Sequence, residues 1–155
     1  SVKLSSASCA CVPVALILIE EPFKFIKSRI FIQGDSNKIH IEPTVYYIQE
    51  TEFNLEGYYP QRLLHIKKNI LMYGGKIFQS CKRDVIIGEN CMFSWGLCLM
   101  THDMHMIYEL NTDKLLNYPQ NMVFEKPFVI GNHVWIGHDV FLTKKSPFQG
   151  DFEIC

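Results

Sequence analysis

Three things are scarce in this chain, and each scarcity removes a class of protein. No apolar run approaches the ~20 residues of a membrane-spanning helix; the longest, from Val12 to Ile19, is short and broken by Pro13. Charge of one sign is nearly absent in excess: 15 basic and 16 acidic residues leave a net charge of −1. That balance offers no electrostatic footprint for a nucleic acid or an anionic membrane surface. Cysteine is present six times but never at C-x-x-C spacing, so neither a zinc ribbon nor a paired scaffold is indicated. Buried, reduced thiols and a reducing, cytoplasmic compartment are the expectation. The 155 residues, 48% of them hydrophobic, suffice for one soluble domain with a continuous core.

What is present is a short repeat. Ile87-Gly88 is followed three residues later by Cys91, Ile130-Gly131 by Val134, and Ile136-Gly137 by Val140; the last two blocks begin six residues apart. That period suits neither an amphipathic helix nor a two-sided strand, and it is the mark of a parallel β-helix in which one residue in about six points inward. Glycine serves where a side chain would collide at a corner. Fainter copies place Ile41 with Val45, and Ile66 with Ile70, in the same frame. Ile41, Ile66 and Ile87 lie 25 and 21 residues apart, more than the roughly 18 of a plain triangular coil, so small excursions are expected at the corners. Gly34-Asp35 and Gly57 read as corners, and Tyr58–Gln61, with Pro60, fits the period worst.

The repeat is expected to begin near residue 29 or 30, with residues 1–28 forming an N-terminal cap or extension that covers the open end of the stack. The 43 residues between Ile87 and Ile130 read as about two coils plus an insertion at residues 108–126, which lacks the period and carries Asn, Asp and Pro. Residues 29–144 form the repeat domain, and residues 145–155 make an atypical tail.

The strings IIGENCMFSWG, THDMHMIYE and VIGNHVWIGHDVFL resemble the hexapeptide-repeat acyltransferases, and within them the sugar and capsular polysaccharide O-acetyltransferases. The resemblance covers about the middle 60 residues well. It implies an all-β fold, a single-stranded left-handed parallel β-helix, with acetyl-CoA as co-substrate, a saccharide acceptor and assembly as a homotrimer. No metal is expected in that reaction. Members continue past the point matching Thr143 with further coils that help form the coenzyme groove, so the tail here departs from the pattern.

Acetyl transfer to a sugar hydroxyl needs a base, because an alcohol is a poor nucleophile at pH 7, and histidine suits that task. By the resemblance, His105 in THDMHMIYE is the catalytic base and Asp103 its companion. Residues two apart share a face of an extended segment, so Asp103 can fix the imidazole tautomer or hold the acceptor; His102 has the opposite parity and no role. Ser94, Trp95 and Gly96, with Tyr108 on the insertion, are the acceptor-binding candidates. Trp135 and His138 are the candidates for the coenzyme groove. His40 and His65 recur just before Ile41 and Ile66 and are expected simply to face solvent. Two other readings share the fold: a truncated, non-catalytic β-helix, and a zinc enzyme of the γ-carbonic anhydrase type, which the parity of His102 and His105 disfavours.

Overall fold

The structure, a computed structural model, describes residues 4–5, 15–56, 61–81, 83–102, 105–116, 126–143 and 153–154. Among them there is no helix, and therefore none long and apolar enough to cross a membrane. Numbered in chain order, the strands stack into three parallel sheets. The first holds β2 (Leu16–Ile19), β5 (Lys38–Ile41), β8 (Leu63–Ile66), β11 (Val85–Ile87) and β14 (Phe128–Ile130). The second holds β3 (Phe25–Ile26), β6 (Ile48–Gln49), β9 (Leu71–Met72), β12 (Met92–Phe93), β15 (Trp135–Ile136) and β17 (Glu153–Ile154). The third holds β1 (Leu4–Ser5), β4 (Arg29–Ile32), β7 (Thr51–Leu55), β10 (Gly75–Phe78), β13 (Leu97–Met100) and β16 (Phe141–Leu142). The chain visits the first, second and third sheets in turn. Coil 1 is β2 to β4, coil 2 β5 to β7, coil 3 β8 to β10, coil 4 β11 to β13 and coil 5 β14 to β16.

This is the expected all-β parallel β-helix, and its register is the one the repeat implied. Ile41, Ile66, Ile87 and Ile130 are paired directly across the first sheet. The second sheet repeats the arrangement with Met72, Phe93 and Ile136, and the third with Ile30, Phe53, Ile77, Leu99 and Leu142. These side chains are all buried. Burying each is worth roughly 1.5–3 kcal/mol, a gain available only once a neighbouring coil covers it.

Three details of the reading need correction. The first coil starts at Leu16, ahead of the expected onset, because Leu16–Ile19 already pairs with Lys38–Ile41 in register. The interval from Ile87 to Ile130 is one coil with a long excursion, not two, since β11 and β14 are direct neighbours. Val45 is 68% exposed, and Thr44, at 2%, takes the inward place instead. The inward place falls three residues after Ile41 but four after Ile66, and the extra length before Ile48 bulges outward beginning at Val45. Gly57 and Pro60 lie outside the described residues, as do residues 1–3 and 6–14 of the N-terminal segment and most of the tail.

The corners are made in two ways. Asn69, Asn90 and His133 occupy equivalent corners with φ of 58°, 57° and 56°, and the Asn69 amide donates to Asn90 Oδ1 at 3.1 Å; asparagine tolerates this left-handed conformation better than most residues. Gly88 is needed for close approach instead. A Cβ there would lie 2.2 Å from the carbonyl oxygen of Gly131 in the next coil. The longest excursions fall between the third and first sheets, and the buried Arg62 closes those that follow coils 1 to 3. Its Nε donates to Asn37 Oδ1 at 3.1 Å, its Nη2 to the carbonyls of Gln33 and Leu55 at 3.0 and 3.2 Å, and its Nη1 to those of Glu56 and Gln79. Burial pulls the guanidinium down to about 10, so it is still a cation at neutral pH.

Two outcomes are expected in urea unfolding. Gly88→Ala forces the backbones of coils 4 and 5 apart and costs about 1–3 kcal/mol, as overpacking does. Arg62→Lys costs about 3 kcal/mol or more, because three ammonium donors cannot replace five fixed N–H groups and buried carbonyls are left unpaired. A stability within 0.5 kcal/mol of wild type, roughly the scatter of surface substitutions, contradicts either assignment.

Candidate active site

The site candidates fall on two corners of coils 4 and 5. Ser94, Trp95 and Gly96 turn the chain from β12 into β13, and Gly137, His138 and Asp139 make the same turn one coil further on. The coils are held in register there: Ser94 N–H donates to the Ile136 carbonyl at 2.9 Å and Asp139 N–H to the Trp95 carbonyl at 3.0 Å. That register lays the His138 ring on the Trp95 indole, with centroids 5.6 Å apart and planes 14° from parallel. Gly96, at φ 78°, sits under Asp139, at φ 55°, and the Asp139 carboxylate is 3.0 Å from His138 Nδ1. Trp135, on β15, pairs in register with Met92 on β12 and points outward.

Ser94, Trp95 and Gly96 of the acceptor set thus meet His138 of the coenzyme set at one corner, with Trp135 on the strand leading into it; Tyr108 does not join them. Trp95 is 60% exposed and Trp135 46%; Met92, the register partner of Trp135, is exposed as well, as is Phe141 on the third sheet. Exposed apolar area of this kind marks a binding surface more often than chance. The stacked rings and the Asp139 carboxylate beside His138 Nδ1 make the corner a flat aromatic platform with one hydrogen-bonding edge. Toward coils 1 to 3 the same side of the solenoid has an open groove of about 370 Å³ lined by Lys27, Arg29, Glu50, Glu52 and Lys76, among others. Its charges are largely taken up in pairs, Arg29 with Glu52 at 2.8 Å and Lys27 with Glu50 at 3.6 Å.

His105 lies elsewhere. Thr101, fully buried at the end of β13, is anchored to coil 3: its hydroxyl accepts from Ser80 N–H at 3.3 Å and its carbonyl accepts from the Cys81 thiol at 3.0 Å. The chain then leaves the stack, and His105 is exposed on the departing segment. Asp103 is outside the described residues. Tyr108 pairs with Leu115 in a small antiparallel hairpin closed by Glu109 N–H to Lys114 O at 2.9 Å and Leu116 N–H to Ile107 O at 2.7 Å. Met106, Ile107, Leu110 and Leu116 present apolar side chains to solvent on this arm, Leu110 at 96% exposure. The segment carrying His105 and the corner carrying Trp95 and His138 sit at opposite edges of the third sheet, with the length of β13, roughly 13 Å at 3.3 Å per residue, between them.

The cysteines of the described residues, Cys81, Cys91 and Cys98, are free. Burial pushes the thiols of Cys81 and Cys91 up, which makes them unreactive packing groups rather than nucleophiles. Cys91 occupies the apolar repeat position read from the sequence and is 2% exposed.

No family model matches the chain. Curated proteins do. It is 33% identical over 121 residues to the polysialic acid O-acetyltransferase of Neisseria meningitidis, a match covering 78% of this chain and 52% of that protein. It is 30% identical over 63 residues to the polysialic acid O-acetyltransferase of Escherichia coli O1:K1, covering 41% of this chain and 19% of the relative. The chain therefore spans about half the length of the first of these relatives and less of the second. Among solved structures, the polysialic acid O-acetyltransferase OatWY superposes with a TM-score of 0.59 at 20% identity, covering 84% of this chain and 67% of that one. The polysialic acid-specific acetyltransferase NeuO gives 0.58 at 17% identity, covering 94% and 69%. These structures share the β-helix fold with this chain, and the resemblance to sugar O-acetyltransferases read from the repeat blocks is borne out.

The corner geometry has a direct consequence. Gly96→Ala places a side chain in the left-handed region and its Cβ 2.2 Å from Asp139 Oδ1. A loss of about 1–2 kcal/mol in thermal unfolding is expected, with a change in Trp fluorescence as the His138 ring shifts on Trp95; an unaltered melting curve and spectrum contradict the stacking.

Proposed function

We propose that this chain is the repeat domain of an O-acetyltransferase that moves an acetyl group from acetyl-CoA to a hydroxyl of a saccharide, without a covalent enzyme intermediate. The likeness to polysialic acid O-acetyltransferases carries this reading. It is supported by an exposed histidine, His105, and an exposed aromatic corner lying beyond opposite ends of β13. In this reading the acceptor hydroxyl loses its proton to His105 as its oxygen attacks the thioester carbonyl. Asp103 orients the imidazole. The tetrahedral intermediate then collapses with departure of the coenzyme thiol. Trp135 and His138 flank the coenzyme arm; Ser94, Trp95, Gly96 and Tyr108 border the acceptor.

Since β13 separates the two halves within one chain, each working site is completed between neighbouring copies. The homotrimer implied by the resemblance supplies that arrangement: closed cyclic symmetry brings the hairpin edge of one copy against the aromatic corner of the next. The exposed apolar side chains on both edges support it. The three free thiols among the described residues fit a reducing, cytoplasmic setting.

The experiment is to incubate the protein with acetyl-CoA and oligosialic acid and follow acetylation by mass spectrometry. His105→Ala is expected to lower the rate by about 10²–10⁴-fold, the range for loss of a general base, with unchanged circular dichroism because the residue is exposed. Retention of more than a tenth of the wild-type rate contradicts the assignment.

A further inference from the structure

On the outward face of the first sheet, away from the corners of coils 4 and 5, two histidines and two glutamates form a second cluster. His40 and His65 are direct partners on β5 and β8. Their rings stack with centroids 4.6 Å apart and planes 7° from parallel. Each faces a carboxylate through the same ring atom, whose N–H donates to it: His40 Nε2 is 2.5 Å from Glu20 Oε1, and His65 Nε2 is 2.7 Å from Glu42 Oε1. The arrangement is a staircase in which the carboxylate of one coil reaches the imidazole of the next. Glu42 is further held by its other oxygen, which accepts from Lys68 N–H at 3.1 Å.

We propose that His40, Glu42 and His65, with Glu20 beside them, bind a divalent transition metal ion such as Zn²⁺, which clasps coils 1 to 3 and takes no part in acetyl transfer. One ligand atom from each of the first three residues lies within 4.8 Å of the other two. A tetrahedral zinc ion with bonds of 2.0–2.2 Å sets its ligands about 3.3 Å apart, so side-chain rotations of about 1 Å close the site without moving the strands. Two imidazoles and carboxylate oxygens match the preference of zinc, and of nickel and copper, over magnesium or calcium. The positions are half-buried, His65 at 21% and Glu42 at 26% side-chain exposure, so the ligands are partly desolvated while the ion can enter from solvent. On binding, each Nε2 lone pair turns to the metal and each neutral ring carries its proton on Nδ1; no bond is broken and no electron moves. The sheet itself does not require histidine here. Leu18, Ile86 and Val129 fill the same outward column in the adjacent coils.

Calorimetric titration of the full chain with Zn²⁺, repeated with Ni²⁺, tests the site. One ion per chain at this cluster is expected. His65→Ile, which copies the residue of the next coil, should lose at least about tenfold in Zn²⁺ affinity and the zinc-dependent rise in melting temperature, with acetyl transfer unchanged. Glu42→Gln, which leaves both rings in place, should lose affinity likewise and covers the case in which His65→Ile fails to fold. No saturable Zn²⁺ binding by wild type, or equal affinity in a folded variant, overturns the proposal, and neither result bears on the acetyl-transfer reading.

Discussion

Each inward side chain of this protein is buried by its counterparts in the coils above and below, and everything else in the molecule depends on that stacking. A single coil has two- to five-residue strands and no sheet of its own; it gains burial only when its neighbours sit in register. A slip of one residue along a strand would turn an inward isoleucine to solvent. The ladder Ile41, Ile66, Ile87, Ile130 therefore does more than fill the core. It aligns the corners into columns, which is why Asn69, Asn90 and His133 superpose, and why a histidine of coil 5 rests on a tryptophan of coil 4.

Much of this was legible because periodic burial writes itself into spacing. The Ile-Gly blocks identified both the inward positions and the close approach at Gly88, where the backbone of the next coil leaves no room for a side chain. Counting residues along the chain fails where a corner stretches, since spacing alone does not say which corner absorbs the extra length. At Val45 the corner turns one residue early and bulges afterwards, and the 43-residue interval holds a single coil with an excursion. The hydrophobic run at Leu16–Ile19 gave no repeat signal, although it forms the first rung. Arg62 was invisible for a different reason: a buried guanidinium donating only to carbonyls and an amide leaves no charge partner or motif to find. It takes the place of regular hydrogen bonding where the corners are longest.

The residue types of the candidate site could be read in advance, but their grouping could not. Ser94 to Gly96 and Trp135 to His138 lie 40 or so residues apart and were assigned to different substrates, yet register brings them into contact. His105 follows Trp95 by only ten residues and is carried to the opposite edge of the third sheet. The staircase of Glu20, His40, Glu42 and His65 was likewise within reach of the sequence, since its spacing is that of the inward isoleucines beside it. Reading outward positions as featureless solvent contacts concealed it.

The proposed acetyl transfer requires the two edges of the third sheet to work together across copies. The direct measurement is complementation: a chain carrying His105→Ala and a chain carrying Trp135→Ala, each inactive alone, are co-expressed and the mixed oligomers assayed for acetyl transfer. Recovery of a substantial fraction of wild-type activity, from interfaces that pair an intact His105 with an intact Trp135, is the predicted result. Mixed oligomers that form but remain as inactive as the parents would contradict it.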